Sequence, residues 1–395
     1  MDIQFELESK FGSIYGADEE AAVLDILRKH APTSGEACAR FEAEFAAYCG
    51  TTYARACSNG TAALFLSLLG LNIKPGDRVI TTPLTWIATA AVGATLGADV
   101  DFVDIDPETY NLDPRLLAQT ITPNTKAVIP VHLYGQCCDM DALLALSRRH
   151  GFSIVEDACH APGAEYKGRK AGGMGATGCF SFHEQKNMST LGEGGMIVTD
   201  DAALFERISL YRSHCTRVHG KSTKYCSLDE SKVPVGNRPW WQDFEDCGYN
   251  FRMTDIQAAV GSVQLQKLDA LNQRRIEIAE FLTERLRDVP GLTLPAITPG
   301  NKHVFHLYPV QIDAGEFGMG KDDFIAAMKR EYGIKIGTHY IPIHWSTAFQ
   351  RRGFRRGQFP VAEAVFERLV TLPIHPRLTQ DALEYLVACI KRCRP

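Results

Sequence analysis

The chain has 395 residues, 45% of them hydrophobic and 23% charged, with a net charge of −5. These values describe an ordinary globular protein and exclude a basic nucleic-acid footprint. No apolar run reaches the ~18–20 residues that a membrane-spanning helix needs, and the mixed, acidic N-terminus MDIQFELESKFGSIYGADEE lacks the apolar core of a signal peptide.

SNGTAALFLSLLG (58–70) reads as a turn that becomes a helix. Ser58 or Asn59 can cap it, and Gly60 permits a tight backbone. The free N–H groups of such a start bind phosphate, although a plain capped helix has the same appearance. RVITTP (78–83) then predicts a strand, TWIATAAVGATLG (85–97) a helix, DVDFVDID (99–106) a strand and DPRLLAQTI (113–121) a helix. KAVIPVHL (126–133) predicts a strand, MDALLALSRRHG (140–151) a helix and FSIVEDA (152–158) a strand. Strands separated by helical crossovers make a mainly parallel sheet covered on both faces, with ligands at the carboxyl ends of its strands.

Residues 177–199, TGCFSFHEQKNMSTLGEGGMIVT, predict strand, loop and strand, with Lys186 in the loop. A lysine constrained by sheet on both sides suits Schiff-base chemistry, where the amine must meet one aldehyde carbon in one orientation. A solvated surface lysine also fits the local pattern. A helix is expected over 201–213. Residues 214–247 lack periodicity and hold Lys221, Trp240 and Trp241; a loop of that length is usually functional or mobile. Helical periodicity returns over 254–286. The last ~100 residues, with HVFHLYPVQI, GIKIGTHYI and helices expected over 361–370 and 379–392, read as a small α+β domain. The expected division is a large domain over 1–265 and a linking helix with the small domain over 266–395.

The 12 cysteines contain no CxxC pair, and Cys137 and Cys138 are adjacent. Buried thiols acting as small hydrophobes account for them, with no metal site, no structural disulfide and a reducing, cytoplasmic setting.

Three further residues complete a pattern. Asp157, at the carboxyl end of a central strand, is a carboxylate that needs a cationic partner when buried. A pyridinium N–H would serve, and an N-cap or salt bridge is the alternative. His160, three residues on, faces the same pocket or is a structural histidine. Trp86, at a helix start after a strand, can stack on a flat ring or pack in the core. Phosphate turn, Trp86, Asp157 and Lys186, in that order, match pyridoxal phosphate enzymes of the aspartate aminotransferase fold type.

SNGTAAL, EDACHAPGA, FSFHEQKNMSTLGEGG, GYNFRMTDIQAAVGSVQLQKLD and QFPVAEAVFERLVTLPIHP resemble the DegT/DnrJ/EryC1/StrS family of sugar aminotransferases, over roughly residues 30 to 390. The resemblance implies fold type I of the pyridoxal 5′-phosphate (PLP) dependent transferases: α/β, with a large mainly parallel-sheet domain and a small C-terminal α+β domain. It implies that Lys186 forms the internal Schiff base and that Asp157 faces the pyridine nitrogen. Gly60, Thr61 and Ser181 match phosphate contacts, and Trp86 the stacked aromatic. His160 stands where the family often has glutamine near the phenolic oxygen. Asn250 matches a residue that reaches the phosphate of the neighbouring subunit's cofactor, which implies a homodimer with shared sites. The implied reaction moves an amino group from glutamate or glutamine to a keto-sugar, most often nucleotide-linked. A keto-cyclitol acceptor and a non-catalytic PLP-binding regulator are the alternatives. Arg212, Arg217, Lys221, Trp240, Trp241 and the HYIPIHW segment (339–345) are candidate acceptor contacts, with solvated surface charge as the alternative for the basic ones.

Overall fold

The computed structural model describes residue 7 and residues 11–29, 33–217 and 243–394. Seven strands form the main sheet: β1 (Tyr53–Cys57), β2 (Arg78–Thr81), β3 (Asp99–Phe102), β4 (Thr125–Val128), β5 (Ser153–Asp157), β6 (Thr177–Ser181) and β7 (Gly195–Thr199), in the order β1-β7-β6-β5-β4-β2-β3. The β2 to β5 strands pair in parallel because helices Ala88–Thr95, Pro114–Thr120 and Met140–His150 return the chain between them. These helices start and stop where local chemistry requires. Asp113 and Asp139 cap the second and third through their side chains, and Gly151, at φ 77°, ends the third. β6 is parallel to β5, whereas β7 turns back antiparallel to β6 and pairs antiparallel with β1.

The strands alternate their side chains between two apolar layers. Ile154 packs in the layer of Phe41, Phe45, Phe180 and Phe182, and Val155 in the layer of Leu64, Leu66, Val79 and Ile197. The same alternation sends Glu156 and Asp157 to opposite faces. Glu156 is fully buried and is satisfied by three backbone N–H groups, from Gly172 (2.8 Å), Met174 (2.6 Å) and Gly175, and by His132 Nε2 at 2.8 Å. His132 Nδ1 accepts from the Cys138 N–H, so Nε2 carries the proton donated to Glu156. The Asp157 backbone is held from both sides: its N–H donates to the Pro130 carbonyl at 2.9 Å and its carbonyl accepts from the His132 N–H at 3.0 Å. The strand end carrying Asp157 therefore has little freedom.

Residues 255–286 form one helix, begun by a Thr254/Gln257 capping box. A division at 265/266 falls inside this helix. Its residues up to Leu268 pack in the Phe41 layer, and those from Ile278 onward pack in a separate cluster with Tyr308, Phe324 and Leu386. That second cluster lies on a three-stranded antiparallel sheet of Leu292–Thr293, Tyr308–Ile312 and Leu369–Leu372, with helices Lys321–Tyr332 and Gln380–Cys393. The helix expected over 361–370 ends at Phe366. Leu369–Leu372 is a buried strand that pairs with Tyr308–Gln311, because the apolar LVTL run fits between sheet and helices. GIKIGTHYI contributes a single bridge, Gly337 to Thr371. Among the described residues no helix is long and apolar enough to cross a membrane, and the described cysteines are all free.

Candidate active site

The site forms at the carboxyl ends of β5 and β6. Asp157 is 4% exposed. Its Oδ2 accepts from the Thr89 hydroxyl at 2.7 Å and its Oδ1 from the Cys159 N–H at 3.2 Å. Among the described residues no arginine or lysine pairs with it at salt-bridge distance, so the carboxylate retains capacity for one more cationic donor. Thr89 was not anticipated. It sits one helical turn beyond Trp86, and that spacing is the signal that would have found it.

Lys186 occupies the loop between the antiparallel strands β6 and β7. The loop is cross-linked within itself: Phe182 N–H donates to Gly194, Glu184 N–H to Gly192 and Thr190 N–H to Phe182 carbonyls. The next residue, Asn187, is fully buried and donates to Asn272 Oδ1 at 2.8 Å and to the Val304 carbonyl at 3.0 Å. The lysine is half-buried, and burial holds its ammonium below the ordinary value while the negative fields of Asp157 and Glu193 oppose that shift. A depressed value favours the neutral amine, the form that attacks a carbonyl.

The turn at 58–61 reaches the same place. Asn59 caps the helix Gly60–Gly70, its Oδ1 accepting from Ala62 N–H at 2.8 Å, while its carbonyl accepts from Ala63 N–H. This leaves the Gly60 and Thr61 N–H groups without an intrahelical acceptor. A Cβ on Gly60 would stand 2.8 Å from Ser181 Cβ and 3.0 Å from Cys159 Sγ, and a Cβ on Gly195 would stand 2.4 Å from the Asn59 carbonyl oxygen. Glycine is required at both positions to bring the turn against β6 and β7. Thr61 is exposed and Ser181 is buried at the end of β6. Trp86 is 60% exposed, with its ring centroid 5.9 Å from that of Tyr340, so it does not pack in the core.

His160 is buried among aromatic and imidazole rings, its centroid 4.3 Å from that of His306 and 5.9 Å from that of Tyr340. Its Nδ1 accepts from the Tyr134 N–H at 3.4 Å, which puts the ring proton on Nε2, 3.1 Å from the Tyr340 hydroxyl. His306, absent from the sequence reading, donates from Nδ1 to Asn187 Oδ1 at 3.3 Å. The second of two imidazoles in the otherwise apolar run HVFHLYPV was its only trace.

Burial pushes His339 down to about 4 and His303 to about 3, and burial with cationic neighbours holds His160 and His306 well below 6.5. Each takes up a proton more readily unfolded than folded. Stability is therefore complete above the ordinary value of 6.5 and is lost as pH falls through it toward 4. Thermal melting followed from about pH 7.5 to about pH 4.5 should show this fall, and a midpoint constant down to about pH 5 would contradict it.

Other expected residues divide. Of the HYIPIHW segment, Tyr340 meets His160 and Trp86, and His339, beside it, feels the charge of Lys186. His344 is buried against Glu363 at 2.9 Å, and Trp345 packs on Phe366 and under Arg356. Arg212 is not an acceptor contact: it is 8% exposed, donates to the Ala56 carbonyl at 2.9 Å and lies 3.9 Å from Glu42. Its helix, Ala202–Arg212, packs it inward, and burial lowers its basicity. Lys221, Trp240, Trp241 and the Arg217 side chain lie outside the described residues. Asn250 is exposed and bridges to Ser213, while the adjacent Phe251 carbonyl accepts from Ser58 N–H at 2.9 Å. The Asn250 segment thus borders the turn at 58–61 of its own chain.

Residues 14–391 match the model of the DegT/DnrJ/EryC1/StrS aminotransferase family. The spore coat polysaccharide biosynthesis protein SpsC of Bacillus subtilis is 38% identical over 96% of this chain and 95% of its own. Among solved structures, DesV of S. venezuelae in complex with a ketimine intermediate is 35% identical, covers 95% of this chain and 94% of its own, and superposes with a TM-score of 0.85. Helicobacter pylori PseC, an aminotransferase involved in the biosynthesis of pseudoaminic acid, is 27% identical over 98% of both chains, with a TM-score of 0.87.

Proposed function

The chain belongs to the DegT/DnrJ/EryC1/StrS aminotransferase family and has its fold type I α/β architecture; from that premise we propose that it carries an amino group from glutamate or glutamine to a nucleotide-linked keto-sugar, with pyridoxal 5′-phosphate as cofactor. The observation that carries this reading is the pairing of a half-buried lysine of lowered basicity with a buried carboxylate that has no cationic side-chain partner among the described residues. The relatives' roles in polysaccharide and sugar-acid biosynthesis support the keto-sugar as acceptor.

The residues present fit the cofactor. Gly60 lets the helix start close onto the end of β6, so its free N–H groups and the Ser181 hydroxyl converge, which suits a phosphate. Asp157 suits a protonated ring nitrogen, the neutral His160 can donate from Nε2 to a phenolic oxygen, and the open Trp86 indole can cover a flat ring. Bound there, the cofactor would supply an aldehyde and an electron-withdrawing ring. The protein's residues do the rest. The Lys186 amine removes the proton from the α-carbon of the amino donor and returns it as the amino group changes hands. Asp157 keeps its negative charge in place, because Thr89 and the Cys159 N–H fix both of its oxygens. Tyr340 and His339 border the space that the acceptor enters. The proposal includes a homodimer in which the exposed Asn250 reaches the partner's phosphate.

The test is to load the protein with pyridoxamine phosphate, add keto-sugar nucleotides or keto-cyclitols, and follow recovery of absorbance near the visible edge. Recovery with a keto-sugar nucleotide is expected. Recovery only with a cyclitol moves the acceptor to that class. Failure of glutamate and glutamine to bleach the PLP-loaded protein would favour a cofactor-binding regulator.

A further inference from the structure

The lysine loop is held from outside by a segment remote in sequence. Residues 11–16 run across it. The Gly12 N–H donates to the Glu184 carbonyl at 2.9 Å, and the Leu191 N–H donates to the Tyr15 hydroxyl at 3.1 Å, so both arms of the loop are tied to the same strand of chain. The segment is anchored behind by Gln264, which accepts from the Ser13 hydroxyl and donates to the Ile14 carbonyl at 2.9 Å. At Gly12 the approach is backbone on backbone. A Cβ there would stand 2.2 Å from the carbonyl oxygens of both Gln185 and Lys186.

The Gly12 carbonyl in turn accepts from Arg275 Nη2 at 2.6 Å. Arg275 is 1% exposed, and among the described residues no carboxylate pairs with it. Its Nη1 donates to the carbonyls of Phe305 (3.1 Å), His306 (3.3 Å) and Ile374 (3.1 Å). Burying a guanidinium against carbonyls alone is costly, and burial accordingly lowers its basicity to about 9. What the charge achieves is to gather three distant segments at one point. Asn272, one turn earlier on the same helix, behaves alike: it accepts from Asn187 and donates to the Pro162 carbonyl at 2.8 Å, in the loop that follows Asp157.

We propose that Gly12 and Arg275 are positioning residues for Lys186, the segment 11–16 serving as a strap that Arg275 latches, so that the lysine backbone is fixed relative to Asp157. The inference rests on the reading of Lys186 as the reacting amine. It concerns neither the cofactor's own contacts nor the acceptor. Losing the strap lets the amine wander by a fraction of its loop's width while the binding surfaces stay in place. Misplacement of that kind lowers turnover rather than affinity.

The experiment compares Gly12→Ala, Arg275→Met, Arg275→Lys and Lys186→Ala as PLP-loaded proteins. The half-reaction rate with glutamate should fall on the order of 100-fold in Gly12→Ala and Arg275→Met, with the half-saturating glutamate concentration little changed. Hydrogen exchange should rise at residues 183–192 while the β1 to β5 strands stay protected. Arg275→Lys, which keeps one charged donor, should recover part of the rate. If Arg275→Met does not fold, Gly12→Ala decides. Lys186→Ala still reacting with glutamate would remove the reading on which the strap depends. Lys186→Ala inactive, with Gly12→Ala turning over like the parent, or with exchange raised equally across the sheet, would overturn the strap itself.

Discussion

Lys186→Ala should lose the half-reaction with glutamate by ~10⁴-fold, the full reach of a positioned general acid and base. The PLP-loaded variant should also lack the absorbance near the visible edge that a lysine-linked cofactor gives. The fold should survive. Among the described residues the Lys186 side chain accounts for no hydrogen bond that holds the loop, whereas Asn187, Phe182 and Thr190 supply its cross-links. Removing a half-buried ammonium of lowered basicity also removes a desolvation cost. Stopped-flow absorbance with glutamate separates the outcomes, and a half-reaction at the parental rate in this variant would end the assignment of Lys186.

Asp157→Asn is the second substitution with a large expected effect, a fall in turnover on the order of 10³-fold. The amide is nearly isosteric with the carboxylate. One oxygen can still accept from the Cys159 N–H, and the Thr89 hydroxyl can rotate to accept from the new amide N–H, so packing is preserved. What disappears is the negative charge that the proposed function sets opposite the ring nitrogen. The same charge raises the basicity of Lys186 against the effect of burial. Its loss should therefore move the acid limb of the pH–rate profile to lower pH, since the amine becomes neutral sooner. A variant with normal turnover, or one whose acid limb moves upward, would contradict the role given to Asp157.

The features legible in the chain are those whose causes are local. The lysine loop lies between two apolar runs, and in GEGG Gly192 turns at φ 101° while Gly194 leaves no room for a Cβ beside the Thr190 side chain, so one stretch of sequence contains both the loop and what shapes it. The helix at 60–70 has its cap next to it, and the helix at 255–286 has a capping box written across four consecutive positions. Alternating strands and helices likewise suffice for a mainly parallel sheet. Polarity alone was a poorer guide. Arg212 looked like a solvated or ligand-facing cation and is a buried one, because its helix turns it toward Glu42 and Ala56. The apolar run after Phe366 fitted a helix until the sheet partner at 308–312 claimed it.

By itself the sequence determined that a lysine, an aspartate, a helix-start turn and an aromatic occur in one order on one α/β scaffold, since each depends on neighbours within a few residues. Only the tertiary structure decided what holds them. Thr89 meets Asp157 across 68 positions, and Arg275 meets Gly12 across 263. No periodicity or motif records such contacts, because they arise where separate elements pack and where buried polar groups must find whichever partners the fold brings within reach. The lysine was thus legible in its own loop, whereas the contacts that tie that loop to Gly12 and Asn272 exist only once the chain has closed on itself.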